Sequence, residues 1–126
     1  MHRILVIQTA FIGDVVLATA LLQNLHAAYP EATIDILVRA GAQELFIHHP
    51  YIHQVHVWDK KKNKYQHLFQ IIQTIRRIKY DVVINVQRYL ATGIITVLSG
   101  AKKTIGFNKN PLSFLFSEVV AHQFGL

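Results

Sequence analysis

Short aliphatic runs alternate along the chain with longer stretches whose apolar residues recur at helical spacing. The aliphatic run 4–7 predicts a buried strand, and the segment 8–14 after it predicts a loop. From Val15 an apolar stripe recurs every three or four residues, which predicts a helix at 15–29 that Pro30 ends. The chain therefore begins with a strand that feeds a helix through a short loop.

The same alternation continues to about residue 105. Further strands are predicted at 33–38, 54–58, 81–86 and 103–105, and further helices at 42–48, 65–79 and 90–98. The helix at 65–79 has the clearest pattern, because its aliphatic residues form one stripe and its glutamines and arginines lie opposite. The strand at 81–86 is apolar on both faces, as a central strand of a parallel sheet should be.

Five strands that alternate with helices predict an α/β fold, namely a Rossmann-like, three-layer, doubly wound parallel sheet. Right-handed crossovers favour the strand order 3-2-1-4-5. The order reverses between the first and fourth strands, where a crevice lined by residues 8–14 and 87–92 is expected. The apolar tail, residues 107–126, either packs back on the sheet or begins a connection to something else. Residues 1–126 are predicted to form a single domain.

Composition and charge narrow the class of protein. Of the 126 residues, 52% are hydrophobic and 16% are charged, which is typical of globular rather than disordered chains. No cysteine is present, so disulfides and thiolate metal sites are excluded, and a reducing cytoplasm fits. No apolar run reaches the roughly 18 residues of a membrane span. The net charge of +6 is concentrated in the second half, which indicates an anionic partner.

Asp14 is the first candidate for chemistry, because it ends the loop at the expected crevice. As a helix N-cap, its carboxylate would accept backbone N–H bonds and stabilise the helix by about 1 kcal/mol. As a general base, it would take a proton from a hydroxyl nucleophile. The residues alone leave both roles open. The same loop contains one glycine, Gly13, and therefore lacks a glycine-rich phosphate-binding motif.

Polar and basic residues beyond the third and fourth strands are the next candidates. Lys60, Lys62 and Lys64 follow the third strand, at the edge of the sheet that carries the crevice. They either clamp phosphates and carboxylates or form a solvated loop. Gln87 and Arg88 follow the fourth strand and point toward the reversal of strand order, where an arginine can bind an anion.

Histidines are crowded between residues 48 and 56, which raises the question of a metal site. Such a site requires side chains that converge on one point. On a strand, His53 and His56 face opposite sides, so no metal site is expected here. No Ser-His-Asp arrangement or pair of carboxylates is recognisable either.

Thr9, Gly13 and Asp14 lie between a strand and a Leu-rich helix in the pattern Thr-x-x-x-Gly-Asp. This start resembles the heptosyltransferases, which form glycosyltransferase family 9. Further stretches resemble the family in the same order, at 29–35, 49–52, 80–84, 100–107 and 111–113. The chain departs from the family at 85–88, which has neither the acid nor the glycine that the family often carries there.

The resemblance implies the N-terminal, acceptor-side domain of a GT-B fold, without the C-terminal domain that binds the donor. It implies an inverting transfer of heptose from ADP-heptose to the inner core of lipopolysaccharide, with Asp14 as the catalytic base and no metal or cofactor. The implied substrate-binding residues are Thr9, Gly13, Lys60, Lys62, Lys64, Gln87 and Arg88. Because transfer needs both substrates in one cleft, this chain alone is expected to be inactive.

The partners that the resemblance implies are a nucleotide-sugar donor and an anionic glycolipid acceptor, with no nucleic acid. The location would be bacterial and cytoplasmic, with peripheral contact at the inner membrane, where basic residues are attracted to anionic lipid. Two other interpretations remain. A non-catalytic, basic α/β module would bind anionic partners with a steep salt dependence. A phospho-receiver domain would use Asp59 and Lys103, but the acidic pair expected after its first strand is absent.

Overall fold

The computed structural model of the chain describes residues 3–7, 15–58, 64–85, 90–107 and 118–120. The strands are β1 (Arg3–Ile7), β2 (Thr33–Arg39), β3 (Gln54–Trp58), β4 (Val82–Asn85), β5 (Lys103–Phe107) and β6 (Glu118–Val120). The helices are α1 (Val15–Ala28), α2 (Lys64–Ile78) and α3 (Leu90–Leu98), with a short 3₁₀ helix at Gln43–Leu45. No helix in these ranges combines the length and the apolar character that crossing a membrane requires.

The strands form one parallel sheet in the order β3-β2-β1-β4-β5-β6. The predicted α/β fold and the order of its first five strands are confirmed. The sixth strand lies beside β5, with Glu118 opposite Ile105 and Val120 opposite Phe107. The tail therefore packs back on the sheet at 118–120, which is the first of the two predicted alternatives.

Each face of the sheet carries its own apolar core. On one face Leu5 packs with Ile75 of α2 and Ile95 of α3, and all three are fully buried. On the other face Val6 packs with Leu22 of α1, which is also fully buried. Successive residues of β1 thus point to opposite cores, which explains why a central strand has to be aliphatic throughout.

The short helix after β2 differs from the prediction. A helix was expected at 42–48, but only the 3₁₀ helix Gln43–Leu45 forms. Phe46 is buried beside it, whereas Leu45 and Ile47 are about half exposed. A single buried side chain provides no apolar stripe, and without tertiary packing a longer helix is not stabilised.

The end of α1 also differs from the prediction. The helix was predicted to extend to residue 29, but Tyr29 lies just beyond it and 52% of its surface is exposed. The helix ends at Ala28, and the carbonyl of Tyr29 accepts a hydrogen bond from the amide of Ala32 at 3.0 Å. Because this turn redirects the chain toward β2, the Tyr29 side chain leaves the stripe.

Asp81 joins the starts of three strands at the amino edge of the sheet. Its carboxylate accepts a hydrogen bond from the Arg3 amide at 2.8 Å, and its own amide donates to the Arg3 carbonyl at 2.9 Å. Its carbonyl accepts a hydrogen bond from the Lys103 amide at 3.0 Å. One residue thereby aligns β1, β4 and β5.

Candidate functional site

The carboxyl edge of the sheet, at which doubly wound folds bind their ligands, includes the ends of β1 and β4. Ile7 and Asn85 are the last residues of these two strands and lie opposite one another in the ladder. Both are buried. The segments 8–14 and 86–89 therefore leave the sheet from neighbouring positions, as the predicted crevice requires.

Most of the predicted site residues lie outside the described residues. These are Asp14, Thr9, Gly13, Lys60, Lys62, Gln87 and Arg88. Lys64 is the first residue of α2, and its backbone is described while its side chain is not. The described strands show where segments 8–14, 59–63 and 86–89 leave the sheet. The roles of the candidate residues in these segments stay predictions.

The Lys-rich segment 59–63 leaves the sheet at the same edge. It follows Trp58, the last residue of β3, which lies opposite Arg39 at the end of β2. Since β2 separates β3 from β1, this segment departs two strands away from segment 8–14, a lateral distance of about 10 Å.

The predicted lining of the crevice does not extend to Thr92. This residue is fully buried, and its carbonyl accepts a hydrogen bond from the Thr96 hydroxyl at 2.8 Å. Its side chain is therefore enclosed by the fold and closed to solvent. The prediction that residue 92 lines an open crevice was wrong, because α3 starts at Leu90 and turns this position inward.

A buried polar cluster, absent from the predictions, surrounds Asp35 in β2. Asp35 itself is fully buried. One of its carboxylate oxygens lies 3.3 Å from Nδ1 of His53. The other accepts a hydrogen bond from the Tyr80 hydroxyl and lies 3.9 Å from Nε2 of His56. That nitrogen is also 2.9 Å from the Tyr80 hydroxyl, and we term these four residues the Asp35 cluster.

The protons of the Asp35 cluster follow from its hydrogen bonds. The Tyr80 hydroxyl donates its one proton to Asp35. The Tyr80 oxygen can therefore only accept a hydrogen bond from His56, so Nε2 of His56 carries a proton. Burial lowers the pKa of His56, and the negative charge of Asp35 opposes that shift. Burial and the hydrogen bond to Asp35 raise the pKa of Tyr80 far above its ordinary value. A neutral imidazole and a neutral phenol thus accompany the carboxylate.

The Asp35 cluster lies toward the amino edge of the sheet. Asp35 is opposite Gln54, the first residue of β3, and Tyr80 comes just before β4. The ligand-binding edge is at the other end of these strands. Because its hydrogen bonds join β2, β3 and the start of β4, the cluster holds the framework together.

The Asp35 cluster was not predicted from the sequence, for a local reason. His53 and His56 were predicted to face opposite sides of a strand, which was wrong because β3 begins at Gln54 and His53 precedes it. The available signal was Asp35, an acid between two aliphatic residues inside a strand. A buried carboxylate requires polar partners, and that requirement could have prompted a search for them.

A cavity of about 220 Å³ lies between β3 and α2, beside the Asp35 cluster. Its walls are formed by His56, Val57, His67, Gln70, Ile71, Thr74 and Ile75. It is smaller than the about 300–1,000 Å³ of typical small-molecule sites. Within the described ranges, no three His, Asp or Glu side chains are grouped to hold a metal ion.

Comparison with known proteins identifies relatives in sequence and fold, although no protein-family model matches the chain. Lipopolysaccharide heptosyltransferase 3 of Escherichia coli is 28% identical over 99 residues, which cover 75% of this chain and 29% of that protein. The crystal structure of a glycosyl transferase family 9 protein from Veillonella parvula is 25% identical, with a TM-score of 0.81, over 94% of this chain and 35% of that chain. An E. coli heptosyltransferase determined with ADP is 20% identical, with a TM-score of 0.80, over 94% of this chain and 41% of that chain.

These relatives confirm the resemblance to the heptosyltransferases of family 9 and the α/β fold that it implied. The chain is similar to glycosyltransferases in both sequence and strand arrangement. It spans 29% of the curated relative and 35% and 41% of the two solved ones. The similarity therefore concerns one part of each of these larger proteins.

Proposed function

We propose that this chain, which is similar to family 9 glycosyltransferases, is the N-terminal, acceptor-binding domain of a GT-B heptosyltransferase. The reaction is an inverting transfer of heptose from ADP-heptose to the inner core of lipopolysaccharide. One observation carries the proposal. Segment 8–14, with the family's pattern Thr9, Gly13 and Asp14, follows β1 at the point where the strand order reverses.

Asp14 is the proposed general base. Its carboxylate takes the proton of an acceptor hydroxyl while the hydroxyl oxygen forms a bond to the anomeric carbon of the donor. The bond from that carbon to the ADP oxygen breaks, and the electron pair leaves with ADP. Attack from the face opposite the leaving group inverts the configuration. Asp14 directly precedes α1, whose N-terminal amides favour anionic groups of an acceptor nearby.

An anionic acceptor accounts for the basic candidates around the same edge. Lys60, Lys62 and Lys64 lie in or beside the segment that leaves β3, and Arg88 lies in the segment that leaves β4. A guanidinium pairs with a phosphate or carboxylate through two parallel hydrogen bonds, whereas lysines act as point charges. In this proposal Thr9 and Gln87 hydrogen-bond to sugar hydroxyls, and Gly13 allows close approach of the acceptor to the backbone.

The donor binds mainly outside this chain in the proposed enzyme. Segment 8–14 has one glycine and no phosphate-binding motif of the glycine-rich type. Catalysis by proximity needs donor and acceptor in one cleft. The isolated chain should therefore bind the acceptor but transfer no sugar to it.

The first test is calorimetric titration of the chain with delipidated inner-core oligosaccharide and, separately, with ADP-heptose. We expect the oligosaccharide to bind and ADP-heptose to give no measurable heat. Arg88→Gln should weaken oligosaccharide binding about tenfold, because a charge-assisted hydrogen bond is lost. Asp14→Asn is the matched control, since the amide keeps the size of the side chain and should preserve binding.

Two outcomes would contradict the proposal. Binding of ADP-heptose without binding of the oligosaccharide would reverse the assigned role of the domain. Equal binding of heparin, nucleic acid and oligosaccharide, with one steep salt dependence, would favour the basic binding module instead. The base role is tested in a two-domain enzyme that carries this domain, in which Asp14→Asn should lower kcat at least about a hundredfold.

A further inference from the structure

The cavity between β3 and α2 has the size and the polar groups of a site for a small ligand. Its volume of about 220 Å³ exceeds the about 150 Å³ that accommodates benzene in a protein interior, so a benzene-sized molecule with a few added atoms fits. The cavity is partly open to solvent, which gives such a molecule access. Its described lining includes none of the residues proposed above for the acceptor, so the proposed function leaves the cavity unassigned.

His56 provides the first hydrogen-bond acceptor of the cavity. Its side chain forms part of the wall and is only 9% exposed. Because Nε2–H donates to the Tyr80 oxygen at 2.9 Å, the neutral ring keeps its lone pair on Nδ1. Within the described part of the chain, no donor is bonded to Nδ1. A largely buried acceptor without a donor is costly, so a ligand that supplies the donor is favoured.

The Asp35 cluster prepares this acceptor. Its hydrogen bonds run in one direction, from Nε2–H of His56 to the Tyr80 oxygen and from the Tyr80 hydroxyl to the Asp35 carboxylate. The bond to Tyr80 fixes the tautomer and the orientation of the imidazole. The negative charge at the end of the chain polarises the successive bonds, which makes Nδ1 a stronger acceptor.

Thr74 provides a second acceptor, from α2. Its hydroxyl donates its one proton to the Gln70 carbonyl at 3.0 Å, so Oγ1 can only accept a further hydrogen bond. Ile71 and Ile75 contribute to the same lining, and both are buried. The cavity therefore combines two acceptors with an apolar wall.

We propose that the cavity binds a small uncharged molecule that carries two hydroxyl or N–H donors on an apolar frame. One donor bonds to Nδ1 of His56 and the other to Oγ1 of Thr74, while the frame packs against Ile71 and Ile75. The side-chain amide of Gln70 both donates and accepts, so it accommodates either kind of group on the rest of the ligand.

An anion or a metal ion matches the lining less well. The described lining contains no lysine or arginine, so the charge of a bound anion would have no counterion. It contains two imidazoles, of His56 and His67, and no carboxylate. A zinc site uses at least three protein ligands, and the described residues form no such group. An uncharged hydrogen-bond donor is therefore the better match.

The test is an NMR titration of the 126-residue chain with resorcinol, a benzene ring with two hydroxyl groups. We expect the signals of the His56 ring and the Thr74 methyl group to shift with one dissociation constant of about 1 mM, because ligands of this size bind weakly. The matched probe is 1,3-difluorobenzene, which has nearly the same shape and no donor. It should bind at least about tenfold more weakly.

Two variants remove the acceptors one at a time. Thr74→Val keeps the shape of the side chain and should weaken resorcinol binding about fivefold. His56→Gln keeps an N–H donor for Tyr80, removes the ring nitrogen Nδ1 and should weaken binding about tenfold. Neither variant should change the binding of 1,3-difluorobenzene. The matched control is Gln73→Ala, an exposed position of α2 outside the described lining, which should bind resorcinol like the parent chain.

Three results would overturn the proposal. The first is that resorcinol shifts neither the His56 nor the Thr74 signals, which would leave the cavity to water. The second is equal affinity for the two probes, which would show that the cavity selects only apolar shape. The third is parent-like affinity in the variants that circular dichroism shows to be folded. Thr74 is exposed, so Thr74→Val decides the question even if His56→Gln does not fold.

Discussion

The two edges of the sheet are built in different ways. At the amino edge, polar side chains bond to groups within the framework, as Asp35 does with Tyr80 and Asp81 does with the Arg3 amide. At the carboxyl edge, β1 and β4 end in the buried residues Ile7 and Asn85, and the polar candidates come from the connecting segments.

Because of this difference, residues at the amino edge should determine stability, whereas residues at the carboxyl edge should determine ligand binding. Hydrogen bonds between buried groups have to be broken before those groups can bind anything else, so substitutions at the amino edge should lower stability. Substitutions in segments that only connect elements should alter ligand binding and leave stability almost unchanged. Four substitutions, ordered by the size of their expected effect on stability, test this separation.

Asp35→Ala is expected to have the largest effect and to lower the free energy of unfolding by about 3 kcal/mol. It leaves the buried Tyr80 hydroxyl without its acceptor and removes the negative charge that lies 3.9 Å from Nε2 of His56. Urea denaturation followed by the fluorescence of Trp58, the single tryptophan of the chain and a buried one, measures the change.

Tyr80→Phe is the graded control for that experiment. It removes one hydroxyl and keeps the ring, so it should lower the free energy of unfolding by about 1 kcal/mol. A variant Asp35→Ala as stable as the parent chain would show that the Asp35 cluster contributes nothing, and the contrast between the edges would disappear.

His56 should make stability depend on pH. Its pKa is lowered in the folded chain, whereas the unfolded chain titrates near 6.5. The unfolded state therefore binds more protons, and the free energy of unfolding falls as pH drops below 6.5, by at most about 1.4 kcal/mol per pH unit.

The matched variant for this effect is His56→Gln, compared with the parent chain at about pH 7.5 and about pH 5.5. Burial also lowers the pKa of His49, but this histidine is present in both proteins and its contribution cancels. An equal loss of stability in both proteins on acidification would exclude His56 as the cause.

Asp14→Asn should have the smallest effect on stability, within about 0.5 kcal/mol, because asparagine caps a helix as well as aspartate does. Thermal denaturation measures the stability of this variant, and oligosaccharide titration of the same preparation measures its affinity for the acceptor. A loss of stability as large as that of Asp35→Ala would place Asp14 in the framework and remove it as a candidate base.

The fold could be predicted from local patterns because its elements bury whole faces. The aliphatic run 4–7 and the stripe of α2 specify their own secondary structure before any tertiary contact is known. The 3₁₀ helix Gln43–Leu45 was mispredicted because only Phe46 anchors it. Strand β6 was not predicted because three residues carry no recognisable period, and pairing with β5 defines them.

Candidate site residues could be predicted only where the reactive groups lie close together in the sequence. Asp14 stands out since it lies between a strand and a helix in one short motif. The Asp35 cluster joins residues 18 and 45 positions apart, and no local pattern reports such proximity. The motif-based candidates in segments 8–14, 59–63 and 86–89 stay predictions.

The hydrogen bond between the Arg3 amide and Asp81 spans 78 positions of the chain, so it can form only after Asp81 has been synthesised. Strand β1 leaves the ribosome before its neighbour β4, which follows only after β2, β3 and α2. At about 5–20 residues per second, one side of this aliphatic strand waits several seconds for its partner. Residues 3–7 therefore lack one of their two neighbouring strands until translation has passed β4.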